Sequence, residues 1–310
     1  MTTELKNSTY QCSPALHRRE GESCLPVDAQ RRIIKAWNKT QSRKQRINIP
    51  AAKTRRQSNR KEGGSSGPSL LPELKAIMRK QKCATEFCVV KNTPAVTQKS
   101  FLDYFRPEKP KEWDKKEKEW LDSFNIEDVM KQYEAADPSF EFIGPVPIDF
   151  DKQLSFGKCV VDELCKLDLN TKNQSNKKNK LGIVFNLDPH DKPGSHWVCG
   201  FVDIPNKAAY YFDSYGYEPP HQIIKFLKRC KEQGCETIQW NDIRHQRKGS
   251  ECGMYCLFVI ICLLRNQKSF HDICKHVVDD ATMNAFRDIL FAEEHPRREA
   301  LEEALPRLCT

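Results

Sequence analysis

The run GMYCLFVIICLLRNQ, from Gly253 to Gln267, limits what this chain can fold into more than any other segment. It is apolar on nearly every face and too long for a typical strand, so it predicts a helix buried on all sides. Such a helix needs layers around it. The apolar runs GIVFNL at 182–187, HWVCGFVDI at 196–204 and AAYYFDS at 208–214, each bounded by Pro, Gly, Asn or Asp, predict strands that could supply one. The last two read as a hairpin through Pro205, Asn206 and Lys207. An amphipathic helix from about Pro220 to Cys230 and a strand ETIQWNDI at 236–243 follow. Val277, Val278, Met283, Phe286, Ile289, Leu290 and Phe291 add closing helices. Helices, then a cluster of strands, then helices again predict an α+β fold, with a central mixed sheet flanked by helices.

Upstream, Leu71, Leu74, Ile77 and Met78 recur at helical spacing after Pro72, so a helix should open the folded body near residue 71. FRPEKPKEW at 105–113 is too rich in proline and charge for a regular element and reads as an extended connector. Ser123 or Asn125 can cap a helix whose stripe is Ile126, Val129, Met130 and Tyr133, ended by Asp137-Pro138. EFIGPVPIDF should then run extended around its two prolines. Near the N-terminus, Asp28 can cap a short helix carrying Ile33, Ile34, Ala36 and Trp37. The expected division is a helical docking element at 1–40, a basic flexible linker at 41–69, a helical and extended lead-in at 70–114, and the main domain at 115–310.

Charge separates the same regions. Residues 1–67 hold 15 Lys and Arg against 5 Asp and Glu, and the rest of the chain holds 36 against 37. Between Arg31 and Lys61 stand 12 basic residues and no acidic one. That stretch should bind polyanions with strong salt dependence, or remain a solvated tail. No apolar run approaches the roughly 20 residues of a membrane span, and MTTELKNSTY lacks a secretory pattern, so no membrane partner is expected. Fourteen cysteines scattered through such a chain predict reduced thiols. Cys83-x4-Cys88, Cys230-x4-Cys235 and His271-x2-Cys274-x-His276 each resemble half a metal site, but none has a second half at finger-like spacing, so no metal and no cofactor is expected.

The chemistry gathers around the buried helix. Cys252 sits between the polar loop RHQRKGSE and that helix, where the positive end of the helix dipole favours a thiolate. Gly253 beside it would let a substrate backbone approach. His196 opens one strand and Asp213 closes the next, so a hairpin would bring imidazole and carboxylate to one edge of the sheet. Gln246, six residues before Cys252, could donate to a developing oxyanion beside the Cys252 amide. Taken singly, each has a plainer reading: a core cysteine like Cys256 and Cys262, a structural histidine, a turn aspartate and a surface glutamine. From the residues alone, Asp203 also remains open as the partner of His196.

As a set they resemble a known superfamily. His196 in HWV, the aspartate of YYFDSYG 17 residues on, and Q-x5-C-G in QRKGSECG resemble the peptidases of ubiquitin-like modifiers and the adenovirus protease. Trp120-Leu121 ahead of Ile126 looks like the Trp-Leu-x-x-x-x-Ile pattern of the SUMO-specific members. NDIRHQRKGSECGMYCLF is similar to the polyprotein-processing proteases of nucleocytoplasmic large DNA viruses. The resemblance covers roughly residues 115–292 and implies a papain-like cysteine protease fold for the domain at 115–310, with Cys252 as nucleophile, His196 as base, Asp213 as its orienting partner and Gln246 in the oxyanion hole. It places Trp197 over a narrow glycine-admitting channel, with Gly253 also on the substrate. The implied function is an endopeptidase that cleaves viral structural polyprotein precursors after small residues, in Gly-Gly-X or Gly-X-Gly sequences. It would act as a monomer in the virion and host cytoplasm, with the nucleus as alternative, and could be recruited to nucleic acid through 31–61. Deconjugation of SUMO or another ubiquitin-like modifier, acyl transfer on the same fold, and a nucleic-acid-binding virion protein with an idle site are the competing expectations.

Overall fold

Five strands form one mixed sheet in the order β1 to β5, following the chain. They are β1 Phe140–Pro147, β2 Lys180–Asn186, β3 Trp197–Asp203, β4 Ala208–Phe212 and β5 Thr237–Trp240. β1 and β2 are parallel, β2–β3 and β3–β4 antiparallel, and β4–β5 parallel. This is a computed structural model, and it describes residues 11–16, 22–50, 68–93, 99–114, 119–174 and 178–295. The chain divides into two units, 1–109 with 288–306, and 110–287 with 307–310.

In the second unit the sheet is covered on both faces. The helix predicted from the apolar run is α9, Cys252–Leu264, and all thirteen of its residues are buried. It packs against β3 and β2, and α5, Ser123–Ala136, lies against β1 and α9. On the opposite face Ile223, Phe226 and Leu227 of α8, His221–Glu232, join Leu181, Ile183, Phe185, Val198 and Tyr211 in one core. Each large apolar side chain so buried contributes about 2 kcal/mol. β3 is buried at every position, as a strand covered on both faces must be. Two short helices, α6 Asp162–Cys165 and α7 Leu169–Gln174, connect β1 to β2, and α10 Phe270–Lys275 and α11 Asp280–Leu290 follow α9.

The register of the β3–β4 hairpin sets the site. Cys199 faces Phe212 and Asp203 faces Ala208, so the residues just outside the paired stretch, His196 and Asp213, leave the sheet at the same end. Asp203 turns away to the hairpin, where it accepts hydrogen bonds from the backbone and side-chain amides of Asn206.

The first unit joins segments that the sequence reading separates. Its helices are α1 Val27–Lys39, α2 Leu71–Gln81, α3 Glu86–Asn92 and α4 Lys99–Leu102. Ile33, Ile34 and Trp37 of α1 share one core with Leu74, Ile77, Phe87, Val90 and Phe101. The helix expected as a separate docking element at 1–40 and residues 70–109 of the lead-in expected at 70–114 are therefore parts of one structure, because the apolar stripes of α1 and α2 bury each other. Of the expected linker, residues 51–67 lie outside the described residues.

Two caps also differ. α5 is capped by Asp122, whose carboxylate accepts from the Asn125 amide at 2.7 Å while Asn125 Oδ1 accepts from the Asp122 N–H at 3.1 Å. Ser123 and Asn125 sit inside the first turn. α1 starts after Pro26 with no side-chain cap, and Asp28 lies in its first turn, where it still favours the helix dipole. Three disulfides, Cys12–Cys24, Cys83–Cys88 and Cys159–Cys165, replace the expected reduced thiols at those six positions. Short sequence separation makes Cys83–Cys88 and Cys159–Cys165 spatial neighbours once α3 and α6 form. No described helix is long and apolar enough to cross a membrane.

Candidate active site

His196 stands at the mouth of β3, and its Nε2 lies 2.7 Å from Asp213 Oδ1. The Cys252 thiol acts on the same imidazole, as one of the groups that raise its pKa. With Nε2 engaged by the carboxylate, Nδ1 is the nitrogen left for sulfur. Cys252 is the first residue of α9, so its backbone N–H is one of the donors that a helix N-terminus leaves unpaired. Burial works against the charged imidazolium, but hydrogen bonds and charge from Asp213 and Cys252 outweigh it and raise the His196 pKa to about 9. The imidazole is thus set to hold a proton beside the sulfur at neutral pH.

Asp213 is held as firmly as it holds His196. Its carboxylate also accepts from the Tyr215 N–H at 2.8 Å. Asn241 clamps its backbone, accepting from the Asp213 N–H at 2.9 Å and donating to the Asp213 carbonyl at 2.6 Å. Gly216, at φ +75°, allows the turn after Asp213 to press on the next loop, since a Cβ there would meet the Ile243 carbonyl carbon at 2.8 Å.

Gln246 is fully buried rather than at the surface. Its Oε1 accepts from Ser214 Oγ at 2.6 Å and its Nε2 donates to the Lys248 carbonyl at 2.8 Å. An amide nitrogen carries two hydrogens, so one N–H is not used by that bond. The backbone around it is tied down at several points: His245 and Gln246 donate to the Ser214 carbonyl, and Arg247 and Lys248 both donate to Asp280 Oδ2, at 3.0 and 2.9 Å. Glu251, directly before the thiol, accepts from the Ser250 N–H and from Asn284 Nδ2.

Trp197 and Gly253 meet through a residue that the sequence reading did not connect to the site. The Trp197 indole N–H donates to the Leu121 carbonyl at 2.9 Å, and a Cβ on Gly253 would lie 3.0 Å from Leu121 Cβ. The space that a Cβ on Gly253 would take is filled by Leu121. A Cβ there would press on the Leu121 side chain, in the segment that enters α5, and Leu121 would have to give by a few tenths of an ångström.

The comparisons bear on this arrangement directly. Residues 163–300 match the Ulp1 protease family, C-terminal catalytic domain. A protein named as a thiol protease in Acanthamoeba polyphaga mimivirus is 30% identical over 297 residues, covering 91% of this chain and 93% of that protein. The chain belongs to the Ulp1 protease family. It is a cysteine-type peptidase with relatives among viral cysteine proteases. A cysteine protease of African swine fever virus is 38% identical over 121 residues, 36% of this chain and 44% of that protein. The crystal structure of the African swine fever virus protease superposes with a TM-score of 0.63 at 22% identity, over 92% of this chain and 97% of that one, which shows a shared fold.

Within this Ulp1-family site, several contributors escape a reading by motif. Tyr215, Asn241, Ser214 and Asp280 hold the site residues without carrying a recognisable signature, though Tyr215 lies inside YYFDSYG and Asn241 opens NDIRHQRKGSECG. A second histidine, His245, is buried against Phe212 with its Nε2 3.2 Å from the Cys274 carbonyl, and burial pushes its pKa down. It stays neutral where His196 is charged. The other thiols differ from Cys252 in their partners: burial pushes Cys230 and Cys274 up to about 12 and Cys256 well above the usual range. Among the spacings that suggested half a metal site, Cys83 and Cys88 are closed by a disulfide. Glu294 and His295 do bring ligand atoms within 4.8 Å of the Cys88 sulfur, a proximity that the sequence spacing could not reveal.

Proposed function

We propose that this protease is an endopeptidase that matures viral structural polyprotein precursors by cutting after glycine in Gly-Gly-X or Gly-X-Gly sequences. The observation that carries the reading is the 2.7 Å bond from His196 Nε2 to Asp213, with Cys252, at the start of a buried helix, among the groups that raise the His196 pKa. In this mechanism the Cys252 sulfur attacks the scissile carbonyl, and its proton resides on His196 Nδ1. The tetrahedral oxyanion is held by the Cys252 N–H and the remaining N–H of Gln246 Nε2, a donor whose removal costs about 3 kcal/mol in comparable sites. His196 gives its proton to the leaving amine, the carbonyl re-forms as a thioester to Cys252, and water activated by His196 hydrolyses that thioester. Asp213 keeps the ring oriented and stabilises the imidazolium throughout. Trp197, fixed by Leu121, forms one wall of the channel that admits only glycine next to the cut.

The basic stretch 31–61 supports recruitment to nucleic acid. Arg43, Lys44 and Arg46 are exposed, and α1 is part of a core, so the stretch is better tested by charge than by deletion. Reversing those three to Glu should flatten the salt dependence of DNA binding, and an unchanged salt slope contradicts this assignment.

A second reading, removal of a ubiquitin-like modifier, is favoured by relatives from African swine fever virus isolates that are named SUMO-1 cysteine proteases. The deciding experiment offers the enzyme a peptide with an internal Gly-Gly-X sequence and a SUMO precursor. Cleavage of the peptide at the glycine supports the endopeptidase. Cleavage of the folded precursor alone supports the modifier peptidase, and turnover only with acetyl-CoA supports acyl transfer.

A further inference from the structure

The ring of Tyr215 stacks on the imidazole of His196, with centroids 4.7 Å apart and planes 24° from parallel. Three other contacts hold this residue. Its own backbone N–H donates to the same Asp213 oxygen that His196 meets. The Arg244 guanidinium carbon lies 4.9 Å from its centroid, and Arg244 Nε donates to the Gln246 carbonyl at 2.7 Å. The Tyr215 hydroxyl donates to the Lys248 carbonyl at 3.3 Å, the acceptor that also takes the Gln246 side-chain amide. Tyr215 therefore touches the base with its ring, the carboxylate partner with its own backbone N–H, and the loop that carries Gln246 with its hydroxyl.

We infer that Tyr215 is a positioning residue for His196, holding the imidazole plane by stacking and tying it to the oxyanion loop through Arg244 and Lys248. An aromatic face attracts a cation, so the stacked ring favours the imidazolium as well as its orientation. The groups that face His196 are the Asp213 carboxylate on Nε2, the Cys252 sulfur and the Tyr215 ring, with Arg244 and Glu251 beyond the ring. Burial and the nearby Cys252 charge push the Tyr215 hydroxyl's own pKa up, so it stays neutral across the range in which His196 titrates.

This inference rests on His196 being the base, and the test separates the two. Hydrolysis of a Gly-Gly-X peptide by the full chain is followed from pH 5 to 10 for wild type, Tyr215→Phe, Tyr215→Leu and His196→Ala. Tyr215→Leu should lower kcat about 10-fold to 100-fold with KM changed little, since a misaimed base costs chemistry and not binding. The alkaline limb of kcat/KM should move down by about half to one pH unit. Tyr215→Phe keeps the ring and should keep the limb. Should Tyr215→Leu fail to fold, Tyr215→Met supplies the same loss of the ring with more bulk. A rise in KM alone, or profiles that superimpose on wild type, overturns the positioning role. Full activity in His196→Ala overturns the assignment of the base instead.

Discussion

The two halves of the site are held by different means. His196 and Asp213 project from the ends of β3 and β4, where hairpin register and two covered faces set their positions. Gln246 and the approach to Cys252 lie on a loop with no ladder of its own, and a few separate groups hold it: the Ser214 carbonyl and the Asp280 and Asn241 side chains take its backbone, and Asn284 takes the Glu251 carboxylate. The difference teaches where stability and activity are coupled. The strand-borne half shares its support with the core, so its two polar side chains can be exchanged while the sheet stands. The loop-borne half depends on a few buried polar bonds, and losing one should loosen both the fold and the oxyanion donors.

The largest expected effect breaks the strand-borne half alone. His196→Ala should lower kcat/KM by at least about 10⁴-fold while the thermal midpoint moves by only a few degrees, as kinetics and calorimetry on the same sample will show. Gln246→Ala comes next, with kcat down about 10²-fold to 10³-fold. Because Gln246 also bonds Ser214 and Lys248 inside the protein, this variant should lose stability as well, unlike His196→Ala.

Asp280→Ala sharpens the comparison, since Asp280 touches none of the reacting groups. Its carboxylate accepts from the Arg247 and Lys248 amides and from the Tyr255 hydroxyl. Removing it should cost about 2 kcal/mol in denaturant unfolding and lower kcat about tenfold. Equal kcat in that variant and wild type would show that the loop holds itself.

The smallest effect is titration of the strand-borne half. The His196 pKa is raised above its ordinary value, to about 9. The protonated pair is therefore fully formed below about pH 6.5 and lost as pH rises through about 9. Activity should fall on the alkaline side near pH 9, and the stability that the pair contributes should disappear in the same window. A limb near pH 6.5 would mean that Asp213 and Cys252 do not hold the imidazolium.

Much of this was legible in the sequence, for physical reasons that differ by residue. An apolar run with no polar face can only be α9, and two apolar strand runs, one opened by His196 and the next closed by Asp213, bring those residues to one edge. The packing of Gly253 was not legible, because Leu121, which a Cβ there would meet, is 132 positions away. Gln246 carries a polar side chain that sequence alone would leave at the surface, yet it is buried because Ser214 and Lys248 satisfy it. The cap of α5 was missed by one residue because Asp122, Ser123 and Asn125 are all good caps, and the reciprocal bond decides among them. The contribution of α1 to a core with α2 was hidden by the basic segment between them, whose composition suggests separation while the apolar stripes on either side pair.

The central claim is that Cys252 alone carries the reaction, driven by His196. Seven free cysteines stand among the described residues, so selectivity is the sharp test. A peptide ending in Gly-Gly-vinyl sulfone, which alkylates an activated thiolate, would be incubated with wild type, His196→Ala and Cys252→Ala, and the adduct located by mass spectrometry of the digest. The account predicts one adduct, on Cys252, formed much more slowly in His196→Ala and absent from Cys252→Ala; labelling of another cysteine, or labelling of Cys252 at the wild-type rate without His196, would contradict it.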